Sequence, residues 1–194
     1  MKFDFIFFLN SILMGIGLAM DAFSVSLANG LNEPDMKPSK LNSIAGTFGL
    51  FQMLMPLIGW MCVHTIVRAF SQFQKFIPWI ALILLLFIGI KMIVEGVRNK
   101  DGKTEAPAVG VAALMLQAVA TSIDALSVGF TIAGFTFVMA FVEALIIGIV
   151  TYGICILGLK LGKTLGTKIA GKASILGGAI LVFIGIEIFV TGLI

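Results

Sequence analysis

The chain has 194 residues, 59% of them hydrophobic and only 12% charged, with a net charge of +3. A soluble domain carries about 25% charged residues, so this composition excludes one and describes a protein lying almost wholly in membrane. The basic residues cluster at helix ends, the pattern of an orientation signal rather than of nucleic-acid binding.

Six stretches are long enough to cross about 30 Å of hydrocarbon as helices: residues 5–28, 43–63, 77–97, 108–131, 137–159 and 173–193. The first follows Lys2 and Asp4, is too long for the apolar core of a signal peptide and lacks a clear cleavage site, so it reads as a retained span. Asp21 lies inside it, in "GLAMDAFSVSLANG". A carboxylate at the centre of a membrane helix costs roughly 2.5–3.5 kcal/mol on insertion scales. Gly17 and Ser24 share its helix face at i−4 and i+3, one allowing close helix approach and the other supplying an oxygen.

The next link is "NGLNEPDMKPSKLN", made irregular by Pro34 and Pro38. In the second span Gln52 precedes Pro56 by four residues. Proline has no N–H, so the Gln52 carbonyl loses its helical partner, and the position offers a side-chain amide and a free carbonyl. Unwound backbone of this kind builds ion sites in transporters. The alternative is a plain kink with Gln52 bonded to a neighbouring helix.

The third span carries Lys91 and Glu95, and residues 98–107, "RNKDGKTEAP", form a linker. The fourth holds "ATSIDALSVGF", where Asp124 has Ala120 and Ser127 in the places of Gly17 and Ser24, with Gln117 two turns back. Glu143 sits near the outer end of the fifth span, either an exit-path acid or an interfacial side chain, and Glu187 lies in the sixth. Cys62 and Cys155 fall in apolar segments and imply no disulfide framework.

Loop charge sets the orientation. Lys37, Lys40, Arg98, Lys100, Lys103, Lys160, Lys163, Lys168 and Lys172 fall on one side, and Lys2, Arg68 and Lys75 on the other. The positive-inside rule places the first group in the cytoplasm and both termini outside.

The two halves resemble each other. Asp21-Ala22-Phe23-Ser24-Val25 matches Asp124-Ala125-Leu126-Ser127-Val128, "FIGIKMIVEGV" from Phe87 matches "FIGIEIFVTGL" from Phe183, and "GLFQMLMPLIGW" from Gly49 weakly matches "GIVTYGICILGL" from Gly148. Residues 1–100 and 108–194 thus read as two repeats of three spans each. An odd number of spans makes the halves cross in opposite senses, the inverted-repeat arrangement of many secondary transporters. The fold class expected is an all-α integral membrane protein of six transmembrane helices. Each aspartate then falls roughly 6 Å from the midplane, at 1.5 Å per residue, and the two can converge.

Two carboxylates, the hydroxyls of Ser24 and Ser127 and the Gln52 amide suit a hard or borderline divalent cation, which takes oxygen ligands. The competing reading is that each aspartate bonds a neighbouring helix structurally. Lys91 and Glu187 occupy equivalent repeat positions with opposite charge and could pair, Glu95 is a rival partner one turn away, and Lys91 could instead snorkel to the surface.

Together, "MDAFSVS", "ATSIDALSVG", "MPLIGW" and the Glu95 segment resemble the MntP-type manganese efflux pumps of the lysine-exporter superfamily, over nearly the whole chain. The resemblance implies a six-span bacterial inner-membrane exporter of Mn²⁺, not an enzyme, with Asp21 and Asp124 as the functional acids and Glu95 at a recurrent position. Mn²⁺ is then the substrate, and no cofactor is implied. Some relatives carry Glu at the position of Gln52 and a neutral residue at that of Glu187.

Moving two charges out of an inside-negative cell costs roughly 4.6 kcal/mol per 100 mV. "GKTLGTK" lacks the glycine spacing of a nucleotide-binding loop, so exchange with protons is the expected drive, Asp21 and Asp124 releasing protons as they take Mn²⁺. Glu95, Lys91, Glu187 and Glu143 are the candidates for coupling or gating. Export of another divalent cation or of a basic amino acid, an ion channel, and an intramembrane aspartyl protease are the alternatives.

Overall fold

The first two helices begin where local chemistry favours a helix start. The computed structural model describes residues 4–65, 77–98, 109–168 and 173–191, and side chains at some positions within these helices, Glu95 and Glu187 among them, lie outside the description. Helix α1 (Phe5–Asn32) starts at Asp4, whose carboxylate accepts from the Phe7 N–H at 2.9 Å and so satisfies an orphan donor of the first turn. Helix α2 (Pro38–Thr65) opens on a proline, whose missing N–H costs nothing there. Helices α3 (Ile77–Arg98), α4 (Val111–Thr121), α5 (Ile123–Thr131), α6 (Phe137–Lys168) and α7 (Ala173–Thr191) follow.

Four stretches are long and apolar enough to cross a membrane: 5–32, 38–63, 111–131 and 137–166. Helices α3 and α7 add 22 and 19 residues of largely apolar sequence. Large apolar side chains such as Leu13, Ile83, Phe87, Ile149, Leu157 and Phe183 are exposed all round the bundle. A water-soluble surface does not carry such a girdle, and the chain is a multi-pass membrane protein. Helix α6 has 32 residues, about 48 Å at 1.5 Å per residue. It outruns the hydrocarbon, so its last turns, with Lys160, Lys163 and Lys168, project beyond it.

The packing directions can be read from the glycines, where backbones come closest. Gly15 lies against Ile147 and Val150, Gly158 against Phe23 and Ser26, and Gly30 against Leu159 and Lys163. Contacts advance together along both chains, so α1 and α6 run parallel. Helices α2 and α5 meet at Gly59 and Gly129, each glycine packed against the other helix's backbone. Helices α2 and α6 cross at Gly49 and Gly148, where a Cβ on either glycine would stand 2.8 Å from the other's carbonyl oxygen. Helix α3 packs mainly on α7, crossing at Gly89 and Gly178. Phe48, Ile44 and Leu41 of α2, Val25 and Ala28 of α1, Leu159 of α6 and Leu181 of α7 form the buried core.

Two expectations need correction. The fourth span is not one helix over 108–131. It breaks at Ser122, between α4 and α5. And α2 runs helical through Pro56 without unwinding, so the irregular backbone lies in the fourth span rather than the second.

Candidate functional site

Asp21 sits on unbroken α1 and is half-buried, and Asp124 is exposed in the first turn of α5. The two carboxylates stand close enough for their charges to interact. The backbone break is the reason Asp124 is presented as it is. Ser122 has φ −110° and ψ 5°, off the helical region, and its N–H bonds the Val119 carbonyl at 3.2 Å. Its hydroxyl donates to the Ala118 carbonyl at 2.7 Å, and the Thr121 hydroxyl to the Gln117 carbonyl at 2.9 Å. The Ser122 hydroxyl thus takes up the Ala118 carbonyl, which the Ser122 N–H would bond in a continuous helix. Asp124 then lies at a helix N-terminus, where the dipole favours negative charge, and accepts from the Ala125 N–H at 2.8 Å.

Gln52 is fully buried and donates its amide to the Leu18 carbonyl at 2.9 Å, one turn before Asp21. Its Oε1 has no partner. A buried amide oxygen left unbonded is costly, and this one lies beside the turn that carries Asp21. Ser24 is half-buried and bonds back to the Met20 carbonyl at 3.0 Å, while Ser127 is exposed one turn beyond Asp124. Among the described residues no group of three or more His, Cys, Asp or Glu side chains converges. Neutral oxygens must therefore complete any shell around a cation held by the two aspartates.

The remaining sequence candidates are scattered. Lys91 is exposed on α3, and its suggested partners Glu95 and Glu187 have side chains outside the described ones. Glu143 is buried on α6 with Oε2 unpartnered. The α1–α6 register sets it level with Phe8–Ser11, ten to thirteen residues from Asp21 on the side away from the lysine cluster.

One feature of the site was not read from sequence. Asn29 and Gln117, both fully buried, exchange two amide hydrogen bonds, 2.8 Å from Asn29 Nδ2 to Gln117 Oε1 and 3.2 Å in return. They join α1 to α4 about two turns to the lysine-rich side of the aspartates. The signal available was one uncharged amide inside the fourth span and another just past the end of the first, and nothing in sequence says that they meet. Beyond them Glu33 pairs with Lys40 at 2.6 Å and accepts from the Val109 N–H at 3.3 Å.

Residues 35–189 match the sequence family described as "Mntp: Putative manganese efflux pump". A relative from Clostridium botulinum named "Putative manganese efflux pump MntP" is 43% identical, with 92% of each chain covered. Relatives of the same name from Methanosphaera stadtmanae and Methanobrevibacter smithii are 41% and 43% identical, covering 93% and 91% of this chain and 97% and 94% of their own. No solved structure matches.

Proposed function

Since the chain belongs to the MntP family, a family of transporters and not of enzymes, we propose that it exports Mn²⁺ from the cytoplasm through a site built on Asp21 and Asp124. The observation that supports this reading is two carboxylates within electrostatic reach of one another on apolar helices. Two like charges held together in low dielectric repel, and a divalent cation between them relieves both. Gln52 Oε1 supplies a third oxygen, and Ser24 and Ser127 line the approach.

The helices form two inverted repeats of three, crossing the membrane six times. Three packing details support this. Gly49 and Gly148, matched in the repeat, touch one another. Gly59 meets Leu126 and Gly129, while its counterpart Gly158 meets Phe23 and Ser26, the counterparts of Leu126 and Gly129. Helix α1 packs on α6 as α5 packs on α2, the paired contacts that a twofold axis in the membrane plane produces.

The lysine-rich side is the cytoplasm by the positive-inside rule, the termini are outside, and the membrane is the bacterial inner membrane. Entry from the cytoplasm then requires α1 and α4 to part at Asn29 and Gln117. Protons drive the cycle: each aspartate is neutral when empty of metal and releases its proton on loading. Glu143 stands on the outward route as a second proton acceptor.

The test is efflux of radioactive manganese from preloaded cells carrying the intact chain, Asp21→Asn or Asp124→Asn at matched expression. Either variant is expected to fall to the level of cells without the protein. Normal efflux from both would remove the aspartates from the site. Efflux from proteoliposomes that ignores an imposed proton gradient would remove the proton step alone.

A further inference from the structure

Six hydroxyls in these helices share one habit. Ser11, Ser24, Ser43, Thr47, Thr121 and Thr164 each donate to a carbonyl four residues earlier. Thr151 does not. It is 0% exposed on α6, and its Oγ1 has no partner. A buried threonine that forgoes the carbonyl available on its own helix has its hydroxyl turned toward something else.

The position of Thr151 says what. In the alignment of the two halves Gly49 matches Gly148, so Gln52 matches Thr151. Both are fully buried, both carry an unpartnered side-chain oxygen, and both lie one turn from the Gly49–Gly148 crossing. The α1–α6 register, with Val150 against Gly15 and Gly158 against Ser26, sets Thr151 level with Leu18 and Ala19. Leu18 is the residue whose carbonyl holds Gln52. Asp21 is three residues beyond Leu18, about 4.5 Å along the helix axis.

We propose that Thr151 Oγ1 is a fourth protein oxygen of the cation site, the second half's counterpart of Gln52 in the first. This rests on the aspartate site and on the repeat argued above. The donor set becomes two carboxylates, one amide oxygen and one hydroxyl, with water completing the shell. Such an all-oxygen set takes hard or borderline divalent cations and lacks the sulfur or imidazole that soft and late transition metals favour.

Three substitutions test it in the full-length protein reconstituted with Mn²⁺. Thr151→Val keeps the shape and removes the oxygen. It is expected to raise KM for Mn²⁺ by about tenfold, one hydrogen-bond-sized increment of affinity, while the thermal midpoint stays level or rises, because an orphaned buried hydroxyl has gone. Thr151→Ser is expected to stay within about threefold of the intact chain. Thr151→Cys is expected to shift preference toward Cd²⁺ over Mn²⁺ by about tenfold.

An unchanged KM in Thr151→Val overturns the proposal. If that variant does not fold, an unchanged metal preference in Thr151→Cys overturns it. The aspartate reading fails separately, through Asp21→Asn and Asp124→Asn retaining manganese efflux, whatever Thr151 does.

Discussion

The turns around Asp21 and Asp124 share nearly the same sequence and differ in backbone. Asp21-Ala22-Phe23-Ser24-Val25 continues an unbroken helix of 28 residues, whereas Asp124-Ala125-Leu126-Ser127-Val128 starts a nine-residue one after a break. What differs is what precedes them. Leu18 and Ala19 in the first half stand where Thr121 and Ser122 stand in the second. Leucine and alanine are strong helix formers with no group that competes for backbone, while the two hydroxyls bond the Gln117 and Ala118 carbonyls. Two equivalent acids are thereby held on supports of unequal stiffness, one on a long rod and the other on a short segment free to pivot at Ser122. If the two halves exchange roles during transport, such a difference would let one acid move relative to the other.

The largest effects come from neutralising the acids themselves, as set out above. The next come from pressing on each support. Alanine at Gly158 would bring a Cβ to 2.7 Å from the Phe23 carbonyl oxygen and drive α6 against the rigid α1, while alanine at Gly59 would meet the Leu126 carbonyl and drive α2 against α5. Overpacking of this kind costs about 1–3 kcal/mol. Gly158→Ala is expected at the upper end and Gly59→Ala at the lower, because α5 can yield at Ser122 and α1 has no such joint. Thermal unfolding in detergent measures both, and a larger loss in Gly59→Ala would refute the unequal stiffness.

The amide pair tests the contact between the two supports. Asn29→Ala leaves the Gln117 amide buried with neither of its two hydrogen bonds to Asn29, at a cost of about 1–3 kcal/mol. Asn29→Leu combined with Gln117→Leu removes both partners and is expected to recover most of that stability. Failure of the double variant to recover would mean that the pair does more than satisfy itself.

The sequence already carried the helical class and the membrane setting, because both depend on local composition: long apolar runs with few charges inside them. Helix ends were less legible. Helix α6 runs on through Lys168, well past residue 159, since hydropathy marks the edge of the hydrocarbon and not the end of a helix. Pro56 drew attention as the source of irregular backbone, yet α2 stays helical there, with the Pro56 carbonyl packed close against Gly129. The true break came from Thr121 and Ser122, residues that sit without consequence in many helices. Asn29 and Gln117 are 88 positions apart, and only tertiary packing brings them together.

The smallest effect concerns the break itself. Ser122→Ala places in the second half the residue that the first half has at Ala19. It removes the hydroxyl that holds the Ala118 carbonyl at 2.7 Å and adds helix propensity, a change of about 0.5 kcal/mol toward a continuous helix. Slower amide hydrogen exchange across Ser122 to Ala125 would register the gain. If the pivot serves transport, manganese efflux should fall although the protein is at least as stable, because the second acid has been given the stiffness of the first. Undiminished efflux with slowed exchange would mean that the two supports need not differ for the cycle to run, and that the break is a local consequence of two hydroxyls and nothing more.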